Sequence, residues 1–136
     1  MTLIAVFLFF AATSIVFLVA DALMLGLLLG PIFRNHLGET LLDGLRLGPA
    51  IAFYLLYMAG LTYFAGLPAL RDGAALSALY NGAALGLIAY GTYELTSWAV
   101  MRDWHPQMVF MDLTWGAVVS GISAYIGARA ALALAG

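Results

Sequence analysis

The sequence predicts an all-α integral membrane protein, built as an antiparallel four-helix bundle in a single domain over residues 1–136. Its composition is the first reason: 65% of the residues are hydrophobic and 9% are charged, whereas a soluble domain has roughly 45–50% apolar and 25% charged residues. The second reason is that four apolar stretches approach or exceed the ~20 residues that a helix needs to cross the hydrocarbon core. No stretch alternates as a strand does, and open sheets cannot span lipid.

The predicted spans cover residues 3–30, 49–67, 74–101 and 106–134. Pro31 is expected to end the first, while Pro49 suits the start of the second and Pro68 its end. Because the connections are short, neighbouring spans should run antiparallel. The first and third connections then share one side of the membrane. They carry three arginines against two on the other side, which favours a cytoplasmic location for them.

The longest connection, residues 31–48, has two interpretations. Leucines recur at helical spacing with polar residues between them, which is typical of a short helix lying in the interface. The alternative is a polar loop with scattered leucines. The leucines concerned are Leu37, Leu41, Leu42 and Leu45.

Several function classes are excluded by composition. The chain has no cysteine and a net charge of −2, so disulfides, thiolate chemistry and cysteine-metal sites are ruled out. The sequence has no run of basic residues of the kind that indicates nucleic-acid binding. His36 and His105 are expected near one surface without a ligand, and we predict no metal site. Small residues four apart, such as Gly26 and Gly30, predict close helix packing within the monomer, with homodimerisation through one such pair as the alternative. Two further pairs are Gly82 with Gly86 and Gly116 with Ser120.

Three acidic side chains lie inside the apolar stretches: Asp21, Glu94 and Asp112. Each costs about 2.5–3.5 kcal/mol to insert, so such residues normally face a bundle interior and are candidate functional groups. At 1.5 Å per residue they lie about 14, 12 and 9 Å from the side of the first and third connections. The sequence therefore places all three in one half of the bundle, with their lateral proximity left open.

The neighbours of the acids extend this candidate site. Tyr90, Glu94 and Trp98 follow a four-residue spacing with Ser97 beside them, and Asp112 shares a face with Trp115. Carboxylates in low dielectric do not all stay ionised, so we expect at least one to be protonated. Alternatively, an arginine on the same side reaches inward and neutralises one of the acids, because long side chains cross the interface. The candidates are Arg34, Arg46 and Arg102. The competing interpretation is that each acid only locks helix packing through a hydrogen bond. Trp104 is predicted to be an interfacial anchor.

Four segments resemble the DUF2177 family of predicted membrane proteins: residues 21–26, 53–57, 89–96 and 112–116. The resemblance covers nearly the whole chain in order and includes Tyr93. Members of the family often have Asp at the position of Glu94 and Asn at the position of Ser97, and both changes keep polarity. They tend to have Trp at the position of Met24, so the first helix here lacks that aromatic side chain. The resemblance implies a small multi-pass protein of the bacterial inner membrane. It marks the same acids and supplies no mechanism.

Three hypotheses for the function follow. In the first, an acidic and aromatic site binds a proton, a cation, a lipid headgroup or a small ligand. In the second, the chain is an accessory subunit of a larger membrane complex, or a homodimer, and the acids are structural. In the third, it is a lipid-modifying enzyme with a carboxylate as general acid or base. Catalytic residues and cofactors stay unassigned. The candidate ligand-binding residues are Asp21, Glu94, Asp112, Tyr90, Tyr93, Trp98, Trp115 and Ser97.

Overall fold

The computed structural model describes residues 1–42, 44 and 46–135, and every regular element within them is a helix. This confirms the predicted all-α class. The α-helices are α1 (Leu3–Met24), α2 (Gly30–Leu37), α3 (Leu47–Leu61), α4 (Leu67–Asp72), α5 (Ala75–Val100) and α6 (Pro106–Ala135). Since α1 runs into α2 and α3 into α4, these form the four predicted helices.

Two π turns join the paired helices, at Leu25–Leu29 and Thr62–Gly66. Each lies just before a proline, and the residue preceding the proline donates its N–H five residues back, Gly30 to Leu25 and Leu67 to Thr62. A proline lacks an N–H and its ring clashes with the carbonyl four residues earlier. The wider π turn accommodates both defects without ending the helix. The predicted helix ends at Pro31 and Pro68 are therefore wrong, and the helices continue to Leu37 and Asp72.

Three of the four helices are long and apolar enough to cross a membrane: Leu3–Thr40, Leu47–Asp72 and Pro106–Ala135. The helix α5 has sufficient length, with 26 residues. Its tyrosines, glycines and hydroxyl residues make it less apolar than the others, so its role as a fourth span remains a prediction. In residues 31–48, α2 continues the first helix as far as Leu37, and a short 3-10 turn follows at Gly38–Thr40. The separate helix predicted from the leucine spacing is not what forms, since Leu37 ends α2 and Leu41 and Leu42 lie outside any helix. Asp43 and Leu45, part of the same expectation, lie outside the described residues.

The helix α6 is the centre of the bundle, packed against α5 along its length and against α1 on another side. Glycines make the α5–α6 approach close. A Cβ on Gly82 would lie 2.8 Å from the Ser120 carbonyl oxygen, and a Cβ on Gly86 would overlap the Gly116 carbonyl oxygen. These two small-residue pairs therefore pack within the chain. A Cβ on Gly26 would meet nothing within 4 Å among the described residues outside its own helix.

Buried side chains form three layers along the bundle. The floor cluster surrounds Phe9, the middle cluster surrounds Phe17, and the cap cluster surrounds Trp104. The floor cluster contains Ala5, Phe9, Ala65, Ala69, Leu70, Ala78, Ala124, Ala128 and Ala131. The middle cluster contains Phe17, Tyr57, Met58, Leu61 and Val119. The cap cluster contains Leu37, Trp104, Met108 and Val109, and it joins α2 to the connection between α5 and α6.

Candidate functional site

The three intramembrane acids are buried together in the interior, between the middle cluster and the cap cluster. Asp21 on α1 is 6% exposed, Glu94 on α5 is 0% exposed and Asp112 on α6 is 7% exposed. The carboxyl groups of Glu94 and Asp112 lie within hydrogen-bonding reach of each other. The charge of Asp21 is near enough to act on Asp112. Packing thus supplies the lateral proximity that the sequence left open, and we call the three residues the acid cluster.

Asp21 is held by two aromatic donors from different helices. The Tyr54 hydroxyl on α3 donates to Oδ2 at 2.6 Å, and the Trp115 indole N–H on α6 donates to Oδ1 at 3.1 Å. Each carboxylate oxygen therefore accepts one hydrogen bond. The two bonds tie α1 to both of these helices at the level of the acid cluster.

Glu94 is held by Trp104, whose indole N–H donates to Oε1 at 2.9 Å. Trp104 lies in the connection between α5 and α6 and is 7% exposed. The predicted interfacial anchor is therefore wrong, because the connection folds Trp104 inward beneath α2. No spacing rule relates a loop residue to a buried acid ten positions earlier, and that is why sequence reasoning missed this contact.

The second oxygen of Glu94, Oε2, has no such hydrogen-bond donor among the described residues. It is fully buried, while the carboxyl groups of Glu94 and Asp112 lie within reach of each other. Two ionised carboxylates cannot bond to each other, since each is an acceptor only. A single proton on either one creates an O–H···O⁻ bond, a short and strong type. The arrangement of Glu94 and Asp112 is thus chemically suited to holding a proton.

Aromatic side chains supply the remaining walls. The Tyr90 ring packs over Gly116, and the phenol is close enough to Asp21 and Asp112 to feel their charges. Tyr93 is 53% exposed, and its ring centroid lies 5.5 Å from that of Trp104. Within the described part of the chain, no arginine donates a hydrogen bond to Asp21 or Glu94. Aromatic N–H and O–H groups are therefore the hydrogen-bond partners of these two acids, a role for which the sequence also suggested Arg34, Arg46 or Arg102.

Two predicted site residues make no side-chain hydrogen bond to the acids among the described residues. Trp98 is 40% exposed and pairs with Phe110, with ring centroids 6.5 Å apart. For Trp98 the cause is helical drift: four residues turn by about 40° more than one full turn, so a position eight residues from Tyr90 has left the face that Tyr90 begins. Ser97 is half-buried, and its carbonyl oxygen accepts the N–H of Met101.

Hydroxyl groups continue the polar interior below the acids. The Tyr57 hydroxyl and Ser120 Oγ lie 2.7 Å apart, both buried. The hydroxyls of Thr13 and Ser123 are buried without a hydrogen-bond partner among the described residues. Tyr57 belongs to the middle cluster, and its hydroxyl is turned toward α6.

At the surface above the cap cluster, two histidines meet. The rings of His36 and His105 stack with centroids 4.1 Å apart, and His36 Nε2 lies 2.9 Å from Gln107 Oε1. Across the described residues, no group of three or more histidine, aspartate and glutamate side chains has metal-binding geometry. The contacts seen connect α2 to the start of α6.

The best-formed clefts of the described residues do not reach the acids. They are two shallow openings of about 390 and 280 Å³ between α1 and α6, and both are lined by Met24 and Trp115. Neither is lined by Asp21, Glu94 or Asp112. The indole of Trp115 separates these clefts from Asp21. The acid cluster therefore lies outside both clefts, and each of its side chains is at most 7% exposed.

Comparison with known proteins gives a family and little else. A family model described as a predicted membrane protein, DUF2177, matches residues 6–129. Comparison with curated proteins found no match, and comparison with solved structures found none. The family description states no activity.

Proposed function

Because the chain belongs to the DUF2177 family of predicted membrane proteins, whose description gives no reaction, we propose a function from the geometry of its interior. The acid cluster is an intramembrane proton-binding site, and Glu94 with Asp112 holds the proton. The single observation that carries this proposal is the meeting of the buried carboxyl groups of Glu94 and Asp112, with Glu94 Oε2 buried and without a donor among the described residues.

Size favours the proton among the ligands considered. A metal cation, lipid headgroup or small molecule needs a cavity with polar groups that converge on it. The two best-formed clefts are apolar and exclude the acids. A proton needs no cavity, since it occupies the line between two oxygens that are already in reach of each other.

Charge favours the same conclusion. Aromatic N–H and O–H groups donate to Asp21 and Glu94, and these donors are neutral. Three ionised carboxylates in lipid, without a cation beside them, would repel one another and lose their hydration. A bound proton removes one charge and supplies the missing donor for Glu94 at the same time.

Infrared spectroscopy of the protein in lipid at neutral pH tests this proposal. We expect the carbonyl stretch of a buried, protonated carboxyl group, shifted by transfer to D₂O. The band should disappear in Glu94→Gln and in Asp112→Asn, because an amide N–H then donates to the remaining carboxylate. Glu39→Gln removes an exposed acid and should leave the band unchanged. Absence of the band in the native protein, or its persistence in both cluster variants, would refute the proposal.

A second candidate function, an accessory subunit, is favoured by the surface of α3. Only Tyr57, Met58 and Leu61 are buried in this 15-residue helix. Leu55 and Leu56 are 59% and 75% exposed. Such a face suits a neighbouring helix of another membrane protein as well as lipid. Native mass spectrometry of protein extracted with its surrounding membrane tests this: a stoichiometric partner supports a subunit role, and a lone monomer contradicts it.

An enzymatic role draws less support from the structure. A general acid or base must come within hydrogen-bonding reach of its substrate, and the clefts beside α1 and α6 present no carboxylate. The bacterial inner membrane remains our proposal for the location, on the family resemblance. Fractionation of cells that express the tagged chain would test it.

A further inference from the structure

We propose that α2 and Trp104 form a lid over Glu94 and Asp112, and that protons reach the pair only when this lid lifts. The proposal rests on the proton-binding function given above and adds the side of entry and the element that regulates it. Four features of the structure support it: the position of Trp104, the contacts that hold α2 down, the joint at the base of α2, and the closed opposite end.

Trp104 lies between Glu94 and the end of the bundle formed by α2 and the α5–α6 connection. Its indole N–H bonds to Glu94 at 2.9 Å. Its ring packs edge-on against Phe33 of α2, with centroids 5.7 Å apart, and against Tyr93 of α5 at 5.5 Å. Displacing α2 removes one of these two aromatic supports. The indole is then free to leave Glu94, and water gains access to the acid.

The outer edge of the lid is fastened by exposed polar contacts. His36 on α2 lies 2.9 Å from Gln107 and stacks on His105 at 4.1 Å. Bonds of this kind compete with water and contribute little net stability. The contacts that His36 makes with His105 and Gln107 therefore break far more readily than the buried contacts of α6.

The π turn at Leu25–Leu29 connects α1 to α2 and is the hinge of the lid. Pro31 contributes no N–H to the helix, and Gly30 bonds to Leu25 across the widened turn. A Cβ on Gly30 would overlap the Leu25 carbonyl oxygen, so this turn requires glycine. At its other end α2 stops at Gly38, whose φ is +55°. The eight residues of α2 thus move as a short segment between two defined breaks.

The opposite end of the bundle offers no comparable entry. Phe17, directly beneath the acids on α1, is 0% exposed, and Phe9 two turns further along is also 0% exposed. The floor cluster beyond them is alanine, leucine and phenylalanine. The titratable groups that face the acids from other helices are Tyr54, Tyr90 and Tyr93, while His36 and His105 stand at the cap surface. Entry through the cap is the shorter route, because the acids lie next to the cap cluster and the hydroxyls below them are followed by the floor cluster.

Clamping the lid tests the proposal directly, and the absence of native cysteine makes this clean. His36→Cys and Gln107→Cys are combined and joined with a short, cleavable thiol crosslinker. Hydrogen–deuterium exchange of the buried carboxyl group is then followed by infrared spectroscopy. We expect the crosslink to slow exchange by about tenfold or more, as for an opening reaction that is blocked. Cleaving the linker should restore the original rate.

The controls separate this inference from the proton site itself. Each single-cysteine variant treated with the same reagent lacks the crosslink and also lacks the contact between His36 and Gln107, so it should exchange no slower than the native protein. Trp104→Ala, which removes the indole from Glu94 and from Phe33 of α2, should exchange faster, and it serves alone if the double variant does not fold. An absent carboxyl band means that the proton site is wrong. A normal band whose exchange rate is unaffected by the crosslink and by Trp104→Ala means that the lid is wrong.

Discussion

The two halves of the α5–α6 pair are held together by different kinds of contact. Toward the floor, Gly82 and Gly86 on α5 bring the backbones of the two helices into direct contact with Gly121 and Ser120. Toward the cap, Glu94 and Asp112 meet through their carboxyl groups, and Trp104 closes over them. The half toward the floor depends on glycines, which have no side chain. The half toward the cap depends on side chains that donate and accept hydrogen bonds.

This difference shows two ways of joining helices where the solvent is lipid. Burying apolar surface gains little there, because lipid chains are as apolar as leucine. The glycine half gains van der Waals contact by close approach. The acid half is stable because its polar groups would be more costly facing hydrocarbon. We therefore expect the glycine half to be sensitive to added volume and the acid half to lost hydrogen bonds.

The largest effect is expected from Gly86→Ala. The new Cβ would overlap the Gly116 carbonyl oxygen and Ser120, so the helices must separate. We expect the free energy of unfolding to fall by about 1–3 kcal/mol, measured by denaturant titration in detergent micelles. Gly60→Ala is the matched control, since a Cβ there meets nothing within 4 Å. Equal losses at both sites would show that close approach does not stabilise this half.

An intermediate effect is expected from the contact between Trp104 and Glu94. Trp104→Phe leaves Oε1 buried without its donor, which costs about 1–3 kcal/mol in proteins. A double-mutant cycle with Glu94→Leu isolates the pairwise contribution. We expect a coupling energy between about 0.6 and 1.7 kcal/mol, the span measured for hydrogen bonds in membranes. Strict additivity of the two substitutions would contradict the assigned hydrogen bond.

The smallest effect is expected from Tyr54→Phe, which removes the hydroxyl that donates to Asp21 at 2.6 Å. Because Trp115 still donates to the other oxygen, the loss should be about 0.6 kcal/mol. Tyr63→Phe removes an equivalent hydroxyl from a residue that is 64% exposed and should change nothing. Thermal unfolding of the two variants side by side makes the comparison. If they unfold identically, Tyr54 does not tie α3 to the acid cluster.

The sequence was most informative where composition alone decides. The apolar content required a membrane protein, and backbone hydrogen bonding in lipid required helices. The placement of Asp21, Glu94 and Asp112 in one half of the bundle followed from residue counting, because a helix rises by a fixed amount per residue. The use of the small-residue pairs at Gly82 and Gly86 within the chain was also anticipated, since close packing needs such spacing wherever it occurs.

Other features were misjudged because their cause is not local. The prolines at positions 31 and 68 were taken as helix ends, whereas π turns carry the helices through them. Trp98 and Trp104 are both tryptophans, four and ten residues after Glu94 along the chain. Trp98 faces outward with Phe110, while Trp104 turns inward because α2 covers the connection.

The sequence by itself thus determined the class of the protein, its helical architecture and the half of the bundle that carries the acids. These follow from transfer energies and helix geometry, which act residue by residue. Only the tertiary structure decided that Glu94 meets Asp112, that Tyr54 and Trp115 share Asp21, and that Trp104 seals the site. Those contacts depend on helix rotation and on the path of a connection. Both are set by the packing of the whole bundle, and no single segment encodes them.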